Sequence, residues 1–207
     1  MNLAAELAGG SAALGLKLSP EAQNKLLDYL ALLQKWNGTY NLTAVRGMET
    51  MLTHHLLDSL AVAPHLRGCS WVDVGSGAGL PGIPLALVNR EASVTLVDSS
   101  HKKATFLQQA VIELGLGNVR VVRARVEEWE PQRLFDVVIS RALSDLQEFV
   151  ALAGRLCRRS GVIAAMKGVY PHEELALLPS SYRLQNVLPL EIPGLSAKRH
   201  LVLMQPV

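Results

Sequence analysis

Three glycines at alternate positions, Gly75, Gly77 and Gly79, stand in the stretch Val72-Asp73-Val74-Gly75-Ser76-Gly77-Ala78-Gly79-Leu80-Pro81-Gly82. Glycine lets a chain turn through positive φ and removes the Cβ that would keep a ligand away from backbone. A helix opened by Pro81 follows, and its N-terminus favours an anionic group such as a carboxylate. The second group with chemistry is Asp98, 19 residues after Gly79, where the next apolar run closes. Its carboxylate suits the two hydroxyls of a ribose, at the strand edge where open α/β sheets bind ligands. The alternative is a cap for a helix beginning near His101, a role that Ser99 or Ser100 fills equally well.

The spacing narrows the ligand. A dinucleotide fingerprint needs G-x-G-x-x-G, whereas here G-x-G-x-G is followed by Leu80 and Pro81. A P-loop is excluded, because no Gly-Lys-Ser or Gly-Lys-Thr follows to neutralise a triphosphate. The variant spacing, with the acidic Asp73 inside the preceding apolar run, resembles motif I of class I methyltransferases. Other chemistries lack their parts: there is no Ser-His-Asp set, no cysteine nucleophile and no H-x-E with C-x-x-C. His54, His55 and Asp58 suggest a metal site at first sight. Adjacent histidines on a helix cannot both point one way, so no metal is expected.

These residues need a frame, and the pattern of apolar runs supplies one. From Ser70 onward short continuous runs alternate with helical segments, as in a parallel sheet built from βαβ units. Strands are predicted at Trp71 to Val74, Ser93 to Val97, Val119 to Val122, Asp136 to Ser140 and Gly161 to Met166. Helices are predicted near 82 to 89, 101 to 114 and 145 to 156. The runs do not alternate in polarity, so both faces of the sheet should be covered. Tyr182 to Leu190 and His200 to Met204 are expected to form a terminal antiparallel hairpin. The expectation is a Rossmann-like, mostly parallel sheet of about seven strands with helices on both faces.

The first third reads as a helical appendage. Ser19 caps a helix with Pro20 at its first position; Ala22, Leu26, Leu30, Leu33 and Trp36 make its apolar stripe. Asn37, Gly38 and Asn41 predict a break, and Met48 to Val62 a further helix. Residues 1–68 are therefore expected to pack, as a helical segment, on a core formed by 69–207.

Composition fits this frame. The 207 residues suffice for one α/β domain, and 49% hydrophobic with 18% charged residues is ordinary for a globular chain. No apolar stretch approaches the roughly 20 residues of a spanning helix. The N-terminal region carries Glu6 and no basic run before a hydrophobic one, so it does not read as a signal peptide and cytoplasm is expected. Cys69 and Cys157 are too few for a disulfide framework and read as packing residues. A net charge of +2 neither demands nor excludes nucleic acid.

Further motifs occur in order: Lys35-Trp36-Asn37-Gly38-Thr39-Tyr40-Asn41-Leu42-Thr43, His55-Leu56-Leu57-Asp58-Ser59, the loop from Gly75 to Pro84, Arg125-Val126-Glu127-Glu128, Ile139-Ser140-Arg141-Ala142, Met166-Lys167-Gly168 and Arg199-His200-Leu201-Val202. This ordered set spans nearly the whole chain and resembles the RsmG (GidB) family. The resemblance implies an enzyme that uses S-adenosylmethionine to methylate N7 of one guanine in the decoding region of 16S ribosomal RNA. Its substrate would be the small subunit or an assembly intermediate, and a monomer is expected. It further implies that Gly75, Ser76, Gly77, Gly79 and Leu80 line the methionine and ribose side and Val126 and Glu127 the adenine side. Arg141 would form the far wall near the reacting methyl. Leu80 stands where some members carry Phe, which keeps an apolar contact.

Beyond the cofactor, Asn41 and Asp58 are expected to form a lip beside its mouth that helps Arg141 place RNA. Candidate RNA contacts are Arg123, Arg125, Lys167, Lys198 and Arg199, with Arg141 beside them. Few exposed aromatics can be assigned as stacking platforms, so binding is expected to rest on RNA shape. Two rival readings stay open: a nucleotide-dependent oxidoreductase, and a ribosome-assembly factor that holds rRNA without catalysis.

Overall fold

The computed structural model describes residues 2–141 and 145–207. In chain order the helices are Leu3–Ala13 (α1), Pro20–Tyr40 (α2), Met48–Met51 (α3), Asp58–Leu60 (α4), Gly82–Val88 (α5), His101–Glu113 (α6), Leu146–Ala153 (α7) and His172–Ala176 (α8). The strands are Ser70–Val74 (β1), Ser93–Asp98 (β2), Val119–Arg123 (β3), Phe135–Arg141 (β4), Cys157–Lys167 (β5), Tyr182–Leu190 (β6) and Arg199–Pro206 (β7). They form one sheet in the order β3-β2-β1-β4-β5-β7-β6, with β7 antiparallel to both neighbours and the other pairs parallel. The predicted terminal hairpin thus closes one end of a parallel sheet.

Side chains along the central strands alternate between two buried layers. Trp71, Val137 and Ile139 face a cluster shared with α2, α5 and α6, whereas Val72, Val74 and Val138 face one shared with α7. Both faces of β1 and β4 are dry, which is why their runs are continuously apolar. The first cluster is continuous from Leu7 and Leu30 through Trp71 and Leu96 to Leu201, so the N-terminal helices and the sheet share one core.

The N-terminal third departs from the sequence expectation in two ways. No break occurs at Asn37 and Gly38, and α2 runs on to Tyr40. Gly38 faces open space and costs only propensity there. Asn37 is buried and turns its amide to the following loop, accepting from Thr43 N at 2.9 Å and donating to Val45 O at 3.3 Å. The stop is Asn41 alone, at φ 49°, a left-handed cap that asparagine tolerates. The second departure lies in the predicted Met48 to Val62 helix, where Leu52–Leu57 is a π-helical turn between α3 and α4. Asp58 N donates back five residues to Thr53 O, so one extra residue is taken up.

α1 gives no periodic signal in the sequence, because its leucines, alanines and glycines form no single stripe. Asn2 caps it by accepting from Ala4 N and Ala5 N, and Gly10 lets it approach the π-turn so closely that a Cβ there would stand 2.6 Å from a Leu57 methyl. Among the described residues no helix is long and apolar enough to cross a membrane.

One buried hydrogen bond ties this helical third to the sheet edge. The Tyr29 hydroxyl, on α2, donates to the Ala78 carbonyl at 2.6 Å. Tyr29→Phe leaves that carbonyl unpaired in the core and is expected to lower the unfolding free energy by about 1–3 kcal/mol in urea titration; an unchanged midpoint would show that the bond is dispensable.

Candidate active site at the carboxyl edge of the sheet

The glycine loop leaves β1 and is folded back across the end of β2. Gly75 N and Ser76 N both donate to Val97 O, at 2.9 and 3.0 Å, and Ser76 Oγ donates to Asp73 O at 2.8 Å. Two carboxylates then hold the loop by its backbone. Asp98 Oδ2 accepts from Gly77 N and Asp73 Oδ2 from Gly82 N, at 2.8 and 2.9 Å. Gly77 sits at φ 58°, a conformation that a side chain would strain. A Cβ on Gly82 would instead collide with Leu96 and stand 2.7 Å from Asp73 Oδ2, so glycine there is a matter of space.

Both readings of Asp98 meet in one carboxylate. Its Oδ1 accepts from Ser100 N at 2.8 Å, at the start of α6, while the Ser100 hydroxyl makes no capping bond. Lys103 Nζ lies 3.8 Å from Oδ2. Each carboxylate oxygen has two acceptor sites, so the edge of Asp98 that faces the cleft keeps capacity for a ligand hydroxyl.

That cleft, about 290 Å³, is lined by Gly75, Asp98, Ser99, Arg125, Val126 and Glu127 among others. Its volume sits at the lower edge of the roughly 300–1,000 Å³ of small-molecule sites. The Val126–Glu127 wall is held by Arg155, whose Nη2 donates to the carbonyls of Val126, Glu127 and Trp129 at 2.6, 3.2 and 2.8 Å. Sequence reasoning missed Arg155, since an arginine after a helix carries no motif until the loop it grips is known. Leu80 is buried beneath the loop rather than in the cleft wall.

A second cleft of about 330 Å³ opens at the same carboxyl edge of the sheet and is lined by His54, Asp58, Arg141, Met166, Lys167 and Arg199 among others. Asp58 is its anchor. The carboxylate is almost wholly buried and takes Arg199 Nε on Oδ1 at 2.8 Å and Arg141 Nη1 on Oδ2 at 3.3 Å. Arg141 Nη1 also donates to His54 O at 3.1 Å, so the end of β4 is tied to the π-turn. Ala142, which follows Arg141 in the fourth-strand motif, lies outside the described residues. Lys167 completes the cationic wall and pairs with Glu174 at 2.7 Å.

The remaining candidates divide. Arg141 lines the second cleft rather than the first. Asn41 lines neither: it is exposed at the end of α2 and accepts from Arg46 Nη2 at 2.8 Å. Arg123 meets His101 Nδ1 at 3.1 Å near the outer edge of the first cleft. Lys198 lines a third cleft farther along the sheet. No group of three His, Cys, Asp or Glu side chains that could hold a metal occurs among the described residues.

Two buried groups near these clefts titrate away from their usual ranges. Burial raises the Asp73 carboxyl to about 7, against the opposing effects of the Gly82 hydrogen bond and the Arg141 charge. Its Oδ1 has no hydrogen-bond partner. Burial and then the Arg141 charge lower His55 to about 4. His55 is therefore neutral near pH 7, with Nε2 against Thr43 Oγ1 at 2.9 Å, which joins the π-turn to the loop after α2.

Residues 22–202 match the family model described as rRNA small subunit methyltransferase G. The chain is 58% identical over 99% of its length, and 98% of the relative's, to the Ribosomal RNA small subunit methyltransferase G of Nitrosospira multiformis. It is 54% identical to the protein of that name from Chromobacterium violaceum, over 97% of this chain and 96% of that one. Its fold is similar to a SAM dependent methyltransferase from Aquifex aeolicus, with a TM-score of 0.58 and 22% identity over 73% of this chain and 91% of that one.

The two shifted groups act on stability in opposite senses. The neutral-state preference of Asp73 contributes stability that is full below about pH 4 and lost as pH rises to about 7. That of His55 is full above its ordinary value and lost as pH falls to about 4. Their slopes, each about 1.4 kcal/mol per pH unit, cancel over most of this window. Asp73→Asn is therefore expected to make the unfolding free energy rise more steeply, or fall less, from about pH 4 to 6.5 than in the ligand-free parent; parallel urea-unfolding profiles for the two proteins would refute it.

Proposed function

Since the chain belongs to the rRNA small subunit methyltransferase G family, we propose that it transfers the methyl group of S-adenosylmethionine to N7 of one guanine in the decoding region of 16S ribosomal RNA. The observation that carries this reading is the pairing, at one sheet edge, of a nucleoside-sized cleft walled by Asp98 with a cationic cleft walled by Arg141, Lys167 and Arg199. The first cleft fits the cofactor: Asp98 has acceptor capacity for ribose hydroxyls, Val126 offers an apolar wall to adenine, and the loop backbone admits close approach. Bound there, the cofactor supplies an electrophilic methyl group on a sulfonium.

N7 of guanine carries a lone pair and no proton, so the site needs no general base. Its residues act by placement, and holding the nucleophile in line is a contribution that can reach roughly 7–11 kcal/mol. O6 lies beside N7, and a donor from Arg141 or Lys167 to O6 identifies guanine while leaving the N7 lone pair free. The ring gains positive charge as it is alkylated. Asp58 offsets the charges of Arg141 and Arg199, which would otherwise oppose that change. Arg123 and Arg125, at the outer side of the cofactor cleft, and Lys198 attract RNA phosphate. The protein acts as a cytoplasmic monomer on the small subunit or an assembly intermediate, and helices 1–68 serve as the support of its catalytic core 69–207.

The deciding experiment maps 7-methylguanosine in 16S rRNA from cells with and without the protein. Loss of one site, restored by the parent gene, is the expected result; an unchanged map refutes the function. Calorimetry separates the rivals: S-adenosylhomocysteine should bind and NAD should not, the reverse indicating an oxidoreductase. A bound guanine that stays unmethylated indicates an assembly factor. Asp58→Ala is expected to abolish methyl transfer while changing S-adenosylhomocysteine affinity less than about threefold, because it leaves two cations uncompensated in the RNA cleft and not in the cofactor cleft. Loss of cofactor binding by the folded variant would contradict that division of labour.

A further inference from the structure

Lys167 and His200 are register partners between antiparallel β5 and β7, yet they line different clefts. Lys167 belongs to the cationic cleft beside Asp58. His200 belongs to a neighbouring one of about 650 Å³, built from the turn after β5 and the segment joining β6 to β7. Arg199 stands in the walls of both, so the two clefts are neighbours along the sheet edge.

The larger cleft is furnished with rings. Tyr170 is 40% exposed, with its centroid 4.3 Å from that of His172 and 5.6 Å, edge-on, from that of His200. His200 Nδ1 lies 3.0 Å from Gly168 O, which fixes the imidazole against which Tyr170 rests. Leu190 and Ile192 add apolar wall, Lys198 and Arg199 add positive charge, and Glu191 is the one acid in the lining. A half-exposed aromatic face beside cations, in a cleft of this size, is suited to an unstacked nucleobase and its phosphate. An uncharged apolar segment would offer no counter-charge to Lys198, whereas Arg199 is already paired with Asp58.

We propose that this cleft takes a nucleotide of the ribosomal RNA strand that flanks the target guanine, with Tyr170 as the stacking platform and Lys198 facing its phosphate. The proposal rests on the function proposed above. It replaces recognition by RNA shape alone with a grip on one unstacked base, two positions in the same groove system dividing the strand between them.

Two measurements on the full-length protein test it. In methyl transfer to small ribosomal subunits from cells lacking the protein, Tyr170→Ala is expected to raise KM about tenfold with kcat within twofold, and Tyr170→Phe to behave as the parent. S-adenosylhomocysteine affinity should stay unchanged in both. A KM within twofold of the parent for Tyr170→Ala overturns the proposal. Independently of methylation, a short single-stranded RNA carrying 2-aminopurine should be quenched on binding the parent and Tyr170→Phe but not Tyr170→Ala. Quenching that depends on Tyr170 without methyl transfer by the parent would sink the proposed function and leave the cleft standing. Quenching insensitive to Tyr170 would sink the cleft and leave the function standing.

Discussion

The glycine loop keeps its shape because two strand-end carboxylates accept from its backbone: Asp98 from Gly77 and Asp73 from Gly82. Backbone that turns through positive φ without regular partners would otherwise be loose. Here β1 and β2 each contribute one acid, at opposite ends of the loop, so the pairing of the two strands fixes the span that the loop must bridge. Tyr29 adds a third tether from the helical third. The cofactor cleft is therefore a property of the sheet and not of the loop alone.

The RNA side is organised around a different carboxylate. Asp58 gathers guanidinium groups from β4 and β7, strands separated in the sheet by β5, onto one π-turn. A buried acid between two partly exposed arginines leaves net positive charge facing solvent while removing the local repulsion between them. The Arg141 charge also acts on His55 and on Asp73.

Much of this was legible in the residues themselves. The five parallel strands and the hairpin could be placed because dry strands leave continuous apolar runs, and the loop and Asp98 because glycine spacing and strand ends are local signals. What escaped was set by tertiary contact. Asn37 and Gly38 look like a break until Asn37 is seen to spend its amide on the next loop. The π-turn has no sequence signature separate from that of an ordinary helix. Arg155 and Tyr29 act through carbonyls far along the chain, and Asn41 caps the end of α2 and holds Arg46.

The π-turn at Leu52–Leu57 has a consequence for how this surface changes over time. A helix that holds one surplus residue puts the segments before and after it out of phase, by roughly the 100° that one residue turns in a helix of 3.6 residues per turn. Removing that residue would rotate Asp58 away from both arginines without altering any side chain in the cleft. The cationic wall is thus exposed to loss by single-codon deletion, and the length of this helix is as much a part of the site as its composition.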